Sequence, residues 1–429
     1  MPRVAHPRFE PDCTIEVDGR PIPARSGESV AVALIAAGVT VVGRSAKYHR
    51  PRGPFCLAGS CHSCLARIDG VPNRRTCRTR CRPGLTVQGQ NAFPSARDDA
   101  LGAIDHLCPR GLDHHHLLTW SALANRAAVA VSRRLAGSGL LPGAVPPPWP
   151  ATVEEPIDAL VIGAGPAGLG AAEALARAGR RVLLAESGDA LGGRLRCGLE
   201  RPGDPPLAWA REIARGVTSG GGEVALGATA VGLWNDGGAP VVVLRQDGTP
   251  DRLRCVRPRA TVLATGTYAV PPSFGRSDLP GIYDGRALAR ALLEDGLLPG
   301  RRCVVAGGQP EAEGLVRRLG DAGVEVCRSR EVVRARGGRR LAAAVVPDRE
   351  VRCEALAWFG WRSPASELAR EAGAPVDLDE SGGWRVRVDE TGATGVRGVW
   401  AAGEVVAPRL SAAGAAAQGI RAGEAAGGD

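Results

Sequence analysis

The sequence predicts an α/β protein that carries a small α+β domain at its N-terminal end, and three observations support this. A close-set group of cysteines lies within the first hundred residues. Two strand–turn–helix–strand patterns follow, beginning near residues 159 and 302. Apolar periodic segments run through almost the whole chain, so we expect a packed core instead of disorder. The length of 429 residues leaves room for roughly three domains.

Composition and charge exclude several classes of protein. The longest aliphatic run, Val30 to Val42, is interrupted by Gly38 and is too short to span a bilayer, so no transmembrane segment is expected. The formal net charge is +9, but the arginines are scattered along the chain, which argues against nucleic-acid binding. Residues 1–13 lack the apolar segment of a secretory signal, and clustered cysteines fit a reducing compartment. We therefore expect a cytoplasmic protein.

The N-terminal region predicts a β-grasp domain. A hairpin over residues 14–25 precedes a helix from Glu28 to Gly38, and short strands are expected at 64–68, 74–79 and 85–88. A hairpin, a crossing helix and further short strands are the parts of a β-grasp fold.

The rest of the chain predicts one dinucleotide-binding domain inserted into another, because two such units lie far apart in the sequence. The connector before them holds a helix over 117–135 and a proline-rich linker at 146–150. The expected domains are 12–90 for the β-grasp domain, 91–155 for the connector, 156–280 and 386–429 for the two parts of the first dinucleotide domain, and 281–385 for the inserted domain.

The strongest motif is a cysteine group with the spacing C-x4-C-x2-C-x12-C, formed by Cys56, Cys61, Cys64 and Cys77. This matches the plant-type spacing of a [2Fe–2S] cluster, in which four thiolates hold two irons. Three ligands must come from one tight loop, and Gly59 supplies the backbone freedom that such a loop needs. The fourth ligand, Cys77, is expected on a strand returned by the Asp69-Gly70 turn.

The cysteines allow other interpretations. A four-cysteine zinc site usually shows two C-x2-C pairs, and only one is present. A thioredoxin-type pair would open a helix in a βαβ unit, which Cys61 and Cys64 do not. Inert cysteines stay a third alternative, and Cys81 lies close enough to compete with Cys77. The cluster's formal charge of −2 would be offset by nearby arginines, namely Arg50, Arg52, Arg67 and Arg78.

A second motif indicates dinucleotide binding. Gly163, Gly165 and Gly168 form a G-x-G-x-x-G pattern between a predicted strand and a helix that Pro166 and Ala167 open. The first glycine makes the turn, the second lets a pyrophosphate approach, and the third allows close packing of helix on strand. Glu186 ends the next strand, where an acid binds ribose hydroxyls and disfavours a 2′-phosphate.

Three further segments favour FAD over NAD at this site, because a generic Rossmann dehydrogenase explains none of them. Gly193-Arg194 follows Glu186 where the chain of a flavoprotein passes the cofactor, and Thr265-Gly266 and Gly403-Glu404 each belong to a short buried strand with a close-approach glycine. A small-residue helix over 412–422 follows the last of these, and its N-terminus would face the flavin pyrimidine.

The second nucleotide unit is poorer, and its role is open between NAD(P) binding and a relic of the fold. Gly307 and Gly308 are not followed by glycine at the third and sixth positions of the motif, and Arg328 or Ser329 stands where an acid would hold the ribose. Cys197 is alone after Gly192-Gly193, so disulfide reductase activity is not expected. Three adjacent histidines, 114–116, are interpreted as a surface or interface feature.

Together these residues resemble the two-dinucleotide-binding flavoproteins. They resemble most the family of the α-subunit of heterotetrameric sarcosine oxidase, with the opine and hydroxyproline dehydrogenases and hydrogen cyanide synthase. The segments 47–53, 69–77 and 84–91 are similar to the N-terminal ferredoxin-like region of such chains. In that comparison Glu404 stands where many flavoproteins have an aspartate at the ribityl chain.

The resemblance implies a subunit of an FAD-dependent oxidoreductase that acts on CH–NH donors. Such a chain passes electrons between FAD and a [2Fe–2S] cluster, while an FAD-containing partner subunit oxidises the amine in a hetero-oligomer. Two alternatives stay open: a self-contained NAD(P)H:acceptor reductase, and an assembly or regulatory subunit that binds FAD without turnover. No constellation of a base with a substrate site is evident, so no catalytic residue is assigned.

Overall fold

The computed structural model describes residues 3–46, 48–103, 105, 116, 118–135, 148–153, 156–199, 201–237, 239–248 and 250–428, with the backbone alone at 132–135. They fall into two compact units, one from residues 1–145 and 271–360 and the other from 146–270 and 361–429. Residues 361–385 therefore pack with the second unit, whereas the sequence placed them in the inserted domain. The domain bounds themselves stay a proposal.

The first unit contains a mixed five-stranded sheet with the strand order β2-β1-β7-β5-β6. Its strands are β1 (Cys13–Val17), β2 (Arg20–Ala24), β5 (Leu65–Ile68), β6 (Val71–Arg75) and β7 (Thr86–Gln88), and a separate pair is formed by β3 (Gly43–Arg44) and β4 (Pro51–Arg52). Helix α1 (Val30–Ala36) begins after Ser29, whose hydroxyl accepts a hydrogen bond from the amide of Val32, and six of its seven residues are buried. The predicted α+β, ferredoxin-like domain is confirmed.

One predicted strand of this domain was misplaced. Asp69 and Gly70 both have positive φ, as the two-residue turn of a hairpin requires, so the returning strand starts at once, at Val71. The chain turns again after Arg75, whose carbonyl accepts from the amide of Arg78. Cys77 therefore lies in a turn and not on a strand over 74–79, as the sequence had indicated.

The connector is described only in part. Helix α2 (Ala122–Leu135) is observed within the predicted 117–135 segment, and the first two residues of the linker at 146–150 lie outside the described residues. His114 and His115 also lie outside them, while His116 is exposed. Nowhere in the described ranges is a helix both long and apolar enough to cross a membrane.

The same unit holds the second nucleotide-type domain. Its parallel sheet has the order β17-β23-β18-β19, and a three-stranded sheet, β20-β21-β22, lies beside it in the chain. The elements are β17 (Ile282–Asp284), α5 (Gly285–Asp295), β18 (Arg302–Gly307), α6 (Glu311–Asp321), β19 (Glu325–Ser329), β20 (Arg334–Gly337), β21 (Leu341–Val346), β22 (Arg349–Arg352) and β23 (Ala355–Phe359).

The second unit is built on a parallel five-stranded sheet with the order β11-β10-β9-β15-β27 and an antiparallel sheet, β12-β13-β14-β8. Two strand pairs, β16–β24 and β25–β26, complete it. Its strands are β8 (Ala151–Val153), β9 (Ile157–Ile162), β10 (Val182–Glu186), β11 (Glu223–Leu226), β12 (Ala228–Asp236), β13 (Ala239–Gln246), β14 (Arg252–Val256), β15 (Pro258–Leu263), β16 (Thr267–Ala269), β24 (Arg362–Pro364), β25 (Val376–Leu378), β26 (Trp384–Val386) and β27 (Val399–Ala401). Its helices are α3 (Pro166–Arg177), α4 (Leu207–Ser219), α7 (Glu367–Glu371) and α8 (Ala412–Gly428).

Helices α3 and α8 pack backbone against backbone, because glycines line their contact. A Cβ on Gly419 would collide with the carbonyl of Ala167, and one on Gly423 would lie 2.5 Å from the carbonyl oxygen of Ala171. On its other side, α3 packs against strands β9 and β10 of the parallel sheet. The predicted Rossmann-like α/β fold is confirmed.

Candidate cofactor sites

The predicted cluster ligands lie on a tight loop between β4 and β5. Leu57, Gly59 and His62 have φ values of 47°, 85° and 55°, and these left-handed residues fold the loop over itself. Cys56 and Cys64 are buried, whereas Cys61 is partly exposed. The loop thus directs its cysteines toward one interior point.

The four thiols form one connected group. The Sγ atoms of Cys64 and Cys77 are hydrogen-bonded across 3.4 Å, and the Sγ of Cys56 accepts from the amide of Ala58. Hydrogen bonds from the thiols of Cys61 and Cys77 lower the pKa of Cys56, and the thiol of Cys77 lowers the pKa of Cys64 to about 7. The donors Cys61 and Cys77 have raised pKa values for the same reason. Cys56 and Cys64 therefore favour the thiolate, which is the form that binds iron.

The donor set fits a binuclear iron–sulfur cluster. Among the residues that the structure describes, no group of three or more His, Cys, Asp or Glu side chains is close enough together to hold a single metal ion. The fit to a cluster rests instead on the all-thiol donors, their burial and the left-handed loop.

Cys81 does not belong to this thiol group. Its amide donates to the carbonyl of Glu28 at 2.8 Å, and burial raises the pKa of its thiol to about 12. Cys77, by contrast, is held beside Cys64 because the hydroxyl of the buried Thr76 donates to the carbonyl of Cys64 at 3.0 Å. These contacts support Cys77 as the fourth ligand. Sequence reasoning missed Thr76.

Helix α5 of the second nucleotide-type domain holds the cluster loop. Arg290 Nη2 donates to the carbonyl of Leu57 at 2.7 Å, and the amide of Asp284 donates to the carbonyl of Phe55 at 3.1 Å. These two carbonyls flank Cys56. Arg290 and Leu57 are 233 residues apart, so no local signal could have predicted this contact.

The arginines expected around the cluster differ in their roles. Arg78 packs against the loop, since a Cβ on Gly59 would lie 2.9 Å from its Cγ. Arg50 pairs with Asp105 at 2.8 Å, Arg67 donates to the carbonyl of Gly70, and Arg52 is half-buried on β4.

The three glycines of the dinucleotide motif differ in what a side chain at each position would meet. A Cβ on Gly163, whose φ is 101°, would collide with the carbonyl of Ala264, and a Cβ on Gly168 would collide with the carbonyl of Gly163. A Cβ on Gly165 would meet only the Cα of Gly193, at 4.0 Å. Protein packing thus accounts for two of the glycines, while the space at Gly165 is that which a pyrophosphate would fill.

The start of α3 suits an anion. Pro166 is its first residue, followed by Ala167, and Gly165 is an N-cap without a side-chain hydrogen bond, so first-turn amides are open to a phosphate. Glu186 lies over the same turn, because its Oε2 accepts from the amide of Ala164 at 2.8 Å and its Oε1 from that of Gly188 at 2.6 Å. This carboxylate is therefore held in place at the end of β10. The residues fit a dinucleotide cofactor.

Two predicted cofactor residues bind each other. Arg194 Nη1 pairs with Glu404 Oε1 at 3.0 Å, in an ion pair whose side chains are 10% and 9% exposed. The other oxygen of Glu404 accepts from the hydroxyl of Thr267, which in turn accepts from Arg362 Nε at 2.9 Å. Thr267 and Arg362 were missed, because this network joins β16 and β24, whose pairing is not visible in the sequence.

The remaining predicted turns are used partly within the protein. The hydroxyl of Thr265 donates to the carbonyl of Ala365 at 2.7 Å, and Gly266 has a φ of 69°. Gly403 has a φ of 85°, and its amide donates to Gln418 Oε1 at 3.0 Å.

The N-terminus of α8 has less capacity for a ligand than the sequence indicated. The amides of Ala413 and Gly414 already donate to Asp204 Oδ1 at 2.9 Å and to the hydroxyl of Ser411 at 3.0 Å. Two of the first-turn donors are thus satisfied by the protein itself, and the expected role of this helix end toward a flavin ring is not supported.

The second nucleotide unit is the weaker candidate site. A Cβ on Gly307 would collide with the carbonyl of Phe359, and Arg328 Nη2 donates to the carbonyl of Gly307 at 2.8 Å. Glu311 and Glu313 stand in the first turn of α6, where a dinucleotide phosphate would bind. Glu311 pairs with Arg286 at 2.8 Å and Glu313 with Arg328 at 2.9 Å, so acidic side chains and their ion pairs already occupy this helix start.

Three family models match the chain. One described as a 2Fe-2S iron-sulfur cluster binding domain matches residues 10–92, and one described as an NAD(P)-binding Rossmann-like domain matches 161–211. A third, described as a pyridine nucleotide-disulphide oxidoreductase, matches 309–419. The predicted [2Fe–2S] and dinucleotide cofactors are confirmed at the level of their domains.

Two curated proteins are similar in sequence. Sarcosine oxidase subunit alpha of Rhizobium meliloti (strain 1021) is 32% identical over 332 residues, which cover 72% of this chain and 33% of that protein. Hydrogen cyanide synthase subunit HcnA of Pseudomonas aeruginosa is 40% identical over 85 residues, which cover 20% of this chain and 81% of HcnA. The matched part of this chain thus spans about a third of the sarcosine oxidase subunit.

Among solved structures, an L-proline dehydrogenase from P. horikoshii has a similar fold. It superposes with a TM-score of 0.73 at 20% identity, over 96% of this chain and 72% of that one. At this identity the similarity concerns the fold.

Proposed function

Since this chain belongs to the family that includes sarcosine oxidase α-subunits and hydrogen cyanide synthase subunit HcnA, we propose that it is an electron-transfer subunit of an amine or amino-acid oxidoreductase. The members of this family are oxidoreductases, and we propose that the enzyme to which this chain belongs acts on CH–NH donors. The observation that carries it is the presence, in one chain, of a four-thiol group and an FAD-type dinucleotide cradle.

Bound FAD would supply two-electron chemistry and a bound [2Fe–2S] cluster one-electron chemistry, so a chain with both can split an electron pair. Cys56, Cys61, Cys64 and Cys77 would hold the cluster. The cofactor would be held by residues of the second unit, namely Gly163, Gly165, Pro166, Ala167, Gly168, Glu186, Gly193, Arg194, Thr265, Gly266, Gly403 and Glu404.

The residues around the cradle have separable tasks. The open amides at the start of α3 bind a phosphate, and Glu186, already oriented by two amides, accepts hydrogen bonds from ribose hydroxyls. Arg194 pairs with Glu404 and fixes its position, so this carboxylate offers an oriented acceptor beside the Gly403 turn.

The amine itself would be oxidised in an FAD-containing partner subunit of a hetero-oligomer. Support comes from the names of the relatives, which are subunits of sarcosine oxidase and hydrogen cyanide synthase, and from the thiol group, which suits the relay of electrons. Secondary amines such as sarcosine and proline are the proposed substrate class, and the cytoplasm is the proposed location.

A self-contained NAD(P)H:acceptor reductase is the second candidate, because the chain has a second nucleotide-type unit. The carboxylates of Glu311 and Glu313 at its helix start weigh against it. An assembly subunit without turnover is the third, and the buried thiol group weighs against that one.

Anaerobic stopped-flow reduction tests these candidates. The purified chain, alone and co-expressed with its genomic neighbours, is mixed with NADH or with sarcosine or proline while flavin absorbance is followed. We expect flavin bleaching with an amine only when a partner is present, and no rapid bleaching by NADH alone. Rapid bleaching of the lone chain by NADH would replace the proposal with the reductase, and no bleaching under any condition would support the assembly subunit.

A Cys61→Ser variant is the matched control for the cluster. It should lose the reddish absorbance and the reduced-state EPR signal while keeping flavin, because one of four thiolates is removed. An unchanged EPR signal would show that the ligand assignment is wrong.

A further inference from the structure

The ferredoxin-like domain carries most of the excess positive charge of the chain. Residues 12–90 contain twelve lysines and arginines but five aspartates and glutamates, an excess of seven out of nine for the chain. Residues 67–82 alone contain six arginines and a single acid, Asp69. The net positive charge of the chain is therefore concentrated in one domain, because this domain holds only five of the 45 acidic residues.

Several of these arginines surround the solvent-facing side of the cluster loop. Ala58 and His62 are exposed there, and Cys61 is the one predicted ligand that is not buried. Arg75 Nη2 donates to His62 Nε2 at 3.0 Å, and the Arg78 side chain lies against Gly59. Cationic side chains thus flank the accessible end of the thiol group.

Protection of a sheet edge does not account for this charge. Arg74 and Arg75 lie on β6, one edge of the five-stranded sheet, and charged residues commonly blunt such edges. The opposite edge strand, β2, has the sequence RPIPA and uses two prolines with a single arginine, Arg20. The charge is therefore concentrated at the edge that adjoins the cluster loop.

We propose that this arginine face, formed by Arg75 and Arg78 around residues 58–63, docks an acidic one-electron redox protein. The inference rests on the proposed function, because it requires a cluster in the loop. A cationic rim raises the association rate of an anionic partner by steering, by roughly 10- to 1,000-fold at low ionic strength. The exchange transfers one electron and no atoms: the cluster domain is oxidised by one electron and the partner's centre is reduced by one.

Small redox ions of opposite charge test the face directly. The full holoprotein is reduced anaerobically with dithionite and mixed with ferricyanide or with hexaammineruthenium(III), and loss of the reduced-cluster EPR signal is followed by rapid freezing. We expect the ferricyanide rate to fall and the ruthenium rate to rise as salt is increased. In the Arg75→Gln/Arg78→Gln variant, the ratio of the two rates at low salt should drop at least about tenfold.

Arg20→Gln is the matched control, since it removes an exposed arginine from the opposite edge of the same sheet. Because both ions oxidise the same cluster, a change in its potential affects both rates and is largely removed by taking their ratio. Arg20→Gln should leave this ratio unchanged. Equal salt responses for both ions, or an equal effect of Arg20→Gln, would overturn the docking face. Absence of any cluster EPR signal would instead refute the proposed function. Double-stranded DNA binding that the double variant abolishes, with an unchanged rate ratio, would reassign the face to nucleic acid and overturn the proposal.

Discussion

Gly423 lies on α8 where this helix meets α3, and its replacement tests the packing that supports the dinucleotide cradle. A Cβ there would lie 2.5 Å from the carbonyl oxygen of Ala171 and 2.9 Å from both the Cα of Ala171 and the Cβ of Ala174. Because two of these atoms are backbone, no side-chain rotation relieves the clash. Helix α8 must instead move away from α3 by at least about 0.5 Å.

The size of the effect follows from two opposing terms. Overpacking of this kind costs about 1–3 kcal/mol, whereas glycine to alanine within a helix gains about 0.5–1 kcal/mol. Gly423→Ala should therefore lower the free energy of unfolding by about 1 kcal/mol. For a unit of this size the melting temperature should fall by about 3 °C.

Gly216→Ala is the matched control, because Gly216 is exposed within α4 and a Cβ there meets nothing within 4 Å. It should raise the melting temperature by about 2 °C, since only the helix-propensity gain applies. The assay is thermal unfolding followed by release of flavin fluorescence, with cofactor content measured beforehand. Stabilisation of Gly423→Ala by the same amount as Gly216→Ala would refute the close packing of the two helices.

Three further predictions follow from the first unit. Arg290→Met removes a charged hydrogen bond worth about 1.5–3 kcal/mol from the cluster loop, so iron should be lost to a chelator at least about tenfold faster, and Arg290→Lys should lose it less quickly. Cys77→Ser should abolish the cluster EPR signal and Cys81→Ser should keep it; the reverse result would exchange the two assignments. Burial raises the pKa of Asp295 from 3.8 to about 6, so the folded state binds the proton of this carboxyl more tightly than the unfolded state does. The resulting stabilisation is fully present below about pH 4 and is lost as the pH rises through 6. Asp295→Asn should therefore flatten the melting temperature between pH 4 and 6, and an unchanged pH profile would contradict the raised pKa.

Motifs that act through nearby residues could be recognised in the sequence. The spacing of Cys56, Cys61 and Cys64 places three thiols on one loop, and the loop needs Gly59 at positive φ for a reason that holds in any protein. The glycine turn at 163–168 is also mostly local. A Cβ on Gly168 would collide with Gly163 of the same motif, and only the collision of a Cβ on Gly163 with Ala264 involves a distant segment.

Errors arose where neighbouring residues did not decide the structure. Cys77 was expected on a strand, but the length of the Asp69-Gly70 hairpin ends that strand at Arg75. That the helix over 412–422 faces the flavin stays a prediction, although Asp204, from a different part of the chain, takes one of its amides. Residues 361–385 were assigned to the inserted domain, yet β24 pairs with β16 of the second unit.

The amino-acid sequence by itself determined the α/β class, the ferredoxin-like N-terminal domain and the thiol spacing, because these depend on residues within about one turn, loop or hairpin of each other. Only the tertiary structure decided that Arg290 holds the cluster loop, that Arg194 and Glu404 pair, and that Cys81 is separate from the thiol group. The two pairings, and the hydrogen bond from Cys81 to Glu28, join segments far apart in the chain, so their geometry depends on how whole elements pack.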